Sequence, residues 1–106
     1  MEIRVLKAKE MEPYKGGPSG LTGTYIGPGK NATLGKYYFK KGVEVKLHTH
    51  RGEQISHLLR GKLRIFVNEK EFIVSEGESY LIPAGLEHRM EALEDTVSVD
   101  VWSPAL

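Results

Sequence analysis

The chain has 106 residues, a formal net charge of +1 and no cysteine. That length suits one domain with a real core, and scattered Lys and Arg at near-zero net charge give no footprint for nucleic acid or an anionic membrane. Without thiols there is no disulfide and no thiolate site, so any metal has to be held through nitrogen and oxygen. Charge within the first residues and the lack of an apolar stretch exclude a signal peptide. No run reaches the roughly 18–20 apolar residues of a membrane span, so a cytoplasmic protein is expected.

Ile3 to Leu6 reads as a short N-terminal strand. Pro13 to Gly29 holds six glycines and three prolines and is expected to run over the surface. Gly29-Lys30 inside it is not a phosphate loop, since Asn31 replaces the Ser/Thr and no glycine sits five positions earlier. Residues 1–32 are thus expected to pack on a core formed by 33–106, one domain overall. Short β-branched or alternating runs follow: Leu34–Lys40, then a turn at Gly42, Val43–His50, and Gln54–Arg60 closed by Gly61. Lys62–Val67 and Glu71–Val74 read as a hairpin around Asn68-Glu69-Lys70, followed by Tyr80–Ile82 stopped by Pro83, His88–Ala92 and Thr96–Trp102. No window sustains a 3.6-residue period, so little helix is expected and the fold class is all-β, a sandwich or barrel.

Three of the four histidines fall into one spaced pattern with a glutamine. His48 and His50 are two apart on a strand, so both face one side and can reach one ion, while Val43, Val45 and Leu47 take the other side. After the turn at Arg51-Gly52, Gln54 opens the next strand beside them and shares a face with Ser56 and Leu58. The same alternation turns His57 away and leaves Glu53 outside the ligand set. With His88, the candidate donors are His48, His50, Gln54 and His88. Imidazoles in a cysteine-free chain suit one divalent transition metal, with Fe, Mn, Ni, Co and Zn all compatible.

Gly42-x5-His48-x-His50-x3-Gln54-x6-Gly61 resembles the first cupin motif, and Gly77-x5-Pro83-x-Gly85-x2-His88 the second. The resemblance spans roughly residues 33–102 and departs in two places: Gln54 stands for the usual ligand glutamate, and Ala92 for an asparagine expected after His88. The Gln form is familiar among small single-domain cupins. An amide oxygen in place of a carboxylate leaves the ion its full formal charge, weakening its affinity and strengthening its Lewis acidity. The family implies a double-stranded β-helix (jelly-roll) barrel, usually dimeric, with metal inside.

The last strand, Thr96–Trp102, sets Val97, Val99 and Val101 on one face and Ser98, Asp100 and Trp102 on the other. Alternation alone leaves open which face is inside. Glu53-Gln54-Ile55, Ile82-Pro83, Glu87-His88, Ala92–Val97 and Asp100-Val-Trp-Ser-Pro104 resemble one cupin subgroup, small enzymes of pectin and alginate breakdown that convert 4,5-unsaturated uronates to linear keto sugars. The resemblance implies that Asp100 is catalytic, as general acid/base, and that Trp102 contacts substrate. It also implies an arginine for the substrate carboxylate where this chain has Leu106; Arg51, Arg64 and Arg89 are the nearest arginines in sequence, the last two facing outward by alternation. A metal-dependent dioxygenase and a non-enzymatic sensor or binding barrel are the alternatives. Apolar residues on both faces of Glu53–Arg60 and Lys62–Val67 (Ile55 and Leu59 against Leu58, Phe66 against Leu63 and Ile65) point to a homodimer, with the N-terminal strand available for exchange.

Overall fold

In the computed structural model, which describes residues 2–25 and 29–105 (backbone alone at Tyr25), the alternating runs become two antiparallel sheets. β1 (Glu12–Pro13), β2 (Leu21–Tyr25), β3 (Thr33–Phe39), β10 (Thr96–Ser103), β5 (Glu53–Arg60) and β8 (Ser79–Ile82) lie side by side in that order. The second sheet runs β4 (Glu44–His48), β9 (His88–Ala92), β6 (Lys62–Val67) and β7 (Lys70–Ser75). The result is the all-β jelly-roll sandwich expected, with a single 3₁₀ turn at Ala8–Glu10 as the helix among the described residues. That helix is far too short to cross a membrane.

Alternation sorts the side chains as a half-buried strand should. In β5 the inward positions are Gln54, Ser56 and Leu58; in β6 they are Leu63 and Ile65. Leu58 and Leu63 are fully buried, within a core cluster that includes Val74, Ile82, Met90 and Ala92. The β6–β7 hairpin closes with Val67 opposite Lys70, so its turn is one residue tighter than the sequence suggests. Asn68 holds φ 55° there, the left-handed region that Asn tolerates and tight hairpin turns demand.

Three expectations are corrected. The Gly/Pro-rich segment does not simply run over the surface: Leu21–Tyr25 is a strand paired with β3, and Tyr14 and Leu21 pack against the core. Glycine serves close approach here rather than a turn, because a Cβ on Gly23 would lie 2.6 Å from the Lys36 carbonyl oxygen and 2.6 Å from the Tyr37 ring. Ile3–Leu6 forms no strand and pairs with no segment among the described residues; Ile3 is 93% and Val5 69% exposed. Val43 and Val45 also do not sit opposite the histidines. Val45 pairs with Met90 and His48 with His88, so β4 spends three residues where β9 spends two. This bulge changes the parity of the strand and puts Val45 and His48 on the same inner side, with Leu47 outside and 60% exposed.

Candidate metal centre and pocket

Both sheets contribute to one cluster. His48 and His88 face each other across the β4–β9 pair, and His50 follows in the turn to β5. That turn is pressed onto the end of β10: a Cβ on Gly52 would lie 2.5 Å from the Ser103 carbonyl oxygen. One ligand atom from each of the three imidazoles lies within 4.8 Å of the others. The Nδ1 of His48 sits 2.7 Å from the Lys46 carbonyl oxygen and the Nδ1 of His88 2.9 Å from that of Leu86. A carbonyl only accepts, so each Nδ1 carries a proton and Nε2 is the atom left to meet an ion. The Nε2 atoms of His48 and His50 are 3.1 Å apart, close to the ~3 Å between two neighbouring nitrogens each about 2.1 Å from one ion. The Nε2 of His88 is buried with no partner. Burial, with the other two imidazoles as smaller causes, lowers the pKa of His50 to about 4; burial is also the leading cause that lowers His88, where the Leu86 carbonyl works the other way and His48 adds to the fall. These two rings are therefore neutral near pH 7, the form that binds metal.

Gln54 enters from the other sheet. Its Nε2 donates to Ser56 Oγ at 2.9 Å, which leaves Oε1 buried and without a partner. A neutral oxygen donor and three neutral nitrogens fit a divalent first-row ion. His57 lies on the outer face, exposed, with Nδ1 2.7 Å from Ser79 Oγ, and Glu53 is exposed as well.

The face of β10 left open by alternation is settled by burial. Thr96, Ser98, Asp100 and Trp102 point inward; Val97, Val99 and Val101 point outward. The register shows how the polar face is used. Asp100 stands in one row with Gly35, Ser56 and Tyr80, and Trp102 in the next with Thr33, Gln54 and Ile82. Asp100 and Trp102, each 5% exposed, therefore line the same cavity of about 270 Å³ as His48, His50 and Gln54. Burial raises the Asp100 carboxyl to about 6, while Ser56 and Ser98 beside it draw it partway back. Even so, Oδ1 of Asp100, Oγ of Ser98 and Nε1 of Trp102 have no partner at full hydrogen-bonding geometry. Burial, then the Asp100 charge, raises the Tyr80 phenol.

The remaining wall is aromatic. Tyr37 meets Tyr14 and Trp102 edge-to-face at centroid separations of 5.3 and 5.7 Å, and Phe39 lines the same space. The sequence offers Trp102 and several tyrosines as pocket wall without saying which, although Gly35, Tyr37 and Phe39 already share one face of β3 by alternation. Among the described residues, no Lys or Arg lines the cavity. Arg64 and Arg89 lie over the Phe66 ring, at 5.9 and 3.6 Å from its centroid. Arg51 lines a separate hollow that shares His50. The position of the expected arginine, Leu106, lies outside the described residues.

A cluster of nitrogen donors between two jelly-roll sheets, beside a cavity of about 270 Å³, is the setting of the site. The chain matches the cupin domain over residues 35–102, and it belongs to the cupin family. Its fold is similar to an RmlC-like cupin from Shewanella frigidimarina NCIMB 400 (25% identity, 93% of this chain and 88% of that one, TM-score 0.79). It is also similar to KdgF from Halomonas sp. (19%, 95% and 94%, TM-score 0.80) and to the EutQ protein of Clostridium difficile (17%, 79% and 68%, TM-score 0.73). The last two likenesses concern the fold alone. No curated protein matches the chain.

Proposed function

We propose that this cupin is a metal-dependent enzyme acting on a small sugar acid, converting a 4,5-unsaturated uronate to its linear keto form. His48, His50, Gln54 and His88 would hold one divalent transition metal. Bound there, the ion supplies Lewis acidity and a fixed point for substrate oxygen. The observation that carries the reading is Asp100: a buried acid with one unpartnered oxygen, facing the same cavity as the donor set, with its pKa raised to about 6. An acid poised near neutrality can both take and return a proton.

The reaction needs that capacity. The anomeric hydroxyl loses a proton, the ring C1–O5 bond breaks to leave an aldehyde at C1 and an enol at C5, and a proton added at C4 gives the 5-ketone. Atoms balance without an oxidant. Asp100 takes the first proton and supplies the second, with Ser56 and Ser98 beside its carboxyl, and Trp102 closes one wall against water. Support for this substrate comes from the resemblance of the C-terminal strand to uronate-linearising cupins.

A dioxygenase or a binding barrel would use the same cavity, and a binding barrel would give Asp100 no proton to move. The test is decay of the conjugated-alkene absorbance of an unsaturated uronate under anaerobic conditions. Asp100→Asn should lower that rate roughly 10²-fold or more while metal content is unchanged. An Asn variant as fast as the parent would sink the assignment, and oxygen uptake coupled to turnover would favour the dioxygenase.

A further inference from the structure

The charge balance of the cavity restricts what can enter it. The four donors are neutral, the cavity wall carries no Lys or Arg among the described residues, and its one acid is Asp100. An ion bound by neutral donors keeps its full positive charge, so the site has one strong attractor for an anion and, elsewhere, aromatic rings and a carboxyl that becomes negative as it ionises. A buried carboxylate without a cationic partner is costly. A second carboxylate would have to sit against Tyr37, Phe39 and Trp102, or face Asp100.

We infer that the ligand carries a single anionic group, that this group binds at the metal rather than at a protein cation, and that diacids are rejected. The inference rests on the proposed metal centre and deepens it. It departs from the expectation that an arginine holds the substrate carboxylate. The exposed Arg51 lies in its own hollow beside His50, and Arg64 and Arg89 are committed to Phe66 on the outside of the other sheet.

The chain has one tryptophan, and it lines the cavity, so its fluorescence reports ligand entry without turnover. Three probes span the charge series: galactose and galacturonate, pyranoses with zero and one carboxylate, and galactarate, an open chain with two. Metal content of the Co²⁺- or Mn²⁺-loaded protein is measured first, and each probe is then titrated into it. Galacturonate should bind roughly tenfold or more tighter than either of the others. Removing the metal should abolish that preference, and Arg51→Gln should leave it unchanged. Tyr14→Arg, which places a cation on the cavity wall, should narrow the gap between galactarate and galacturonate. Galactarate binding as tightly as galacturonate to the loaded parent would overturn this inference and leave the metal-centred function standing. So would loss of galacturonate binding in Arg51→Gln, or undiminished binding to metal-free protein. Failure of the three histidines to hold a stoichiometric ion would overturn both.

Discussion

Asp100 is an acid kept in a place that disfavours its charge, and that has a cost the metal-free protein should show. Its folded pKa of about 6 lies above the unfolded value near 3.9, so between those limits the folded state binds more protons than the unfolded one. Stability from this group therefore falls as pH rises through that window and is lowest above it. Asp100→Asn should stabilise the metal-free protein by about 2 kcal/mol at pH 8 and by little at pH 4. Urea unfolding at the two pH values checks this; an equal effect at both would show that the carboxyl is not held in a charge-averse site. At this scale the sequence was informative where one residue has one environment. The grouping of His48, His50 and His88 could be read from their spacing, although His50 lies in the turn after β4 and not on the strand. The orientation of Asp100 could not, because Val97, Val99 and Val101 make as good an inner face on paper. Only the rows built by neighbouring strands, with Ser56 and Tyr80 beside Asp100, decide it.

Strand β2 shows how an element escapes notice. Its glycines and nearby prolines have the composition of a loop, yet Leu21-Thr-Gly-Thr-Tyr25 alternates, and Gly23 lies directly opposite Tyr37. The glycine is there because the Tyr37 ring and the Lys36 carbonyl leave no room for a Cβ. Gly23→Val should cost about 1–3 kcal/mol by overpacking and should displace Tyr37 from the cavity wall. A lowered urea midpoint together with weaker quenching of Trp102 by bound ligand would report both; an unchanged midpoint would contradict the close contact. Most other strands were legible to within a residue or two, since their β-branched and aromatic residues repeat with period two between turn formers.

The two outer faces of the molecule differ. On the four-stranded sheet Arg64, Arg89 and Glu91 point outward and Arg89 covers the Phe66 ring, while Leu47 and Ile73 are 60% and 49% exposed. The six-stranded sheet presents a continuous apolar row, Val97, Val99 and Val101 flanked by Ile55, 47% exposed, and Leu81, 52% exposed. We propose that a second copy of this chain covers this face, and Ile3 and Val5, uncovered in their own chain, add apolar surface for the same contact. Ile55→Glu combined with Leu81→Lys should shift sedimentation from dimer to monomer without loss of bound metal. A monomeric parent chain would rule this interface out.

The bulge in β4 acts as a phase setter. Before it, Val43 and Val45 are inner residues by odd number; after it, His48 is inner by even number. A strand so arranged tolerates exchange of its outward side chains, Glu44 or Leu47, far better than a change in their count. Loss of one residue between Val45 and His48 would remove the phase shift while leaving every motif residue present. This segment therefore tolerates substitution better than deletion, and the five-residue interval between Gly42 and His48 sets the strand phase that brings His48 to the inner side.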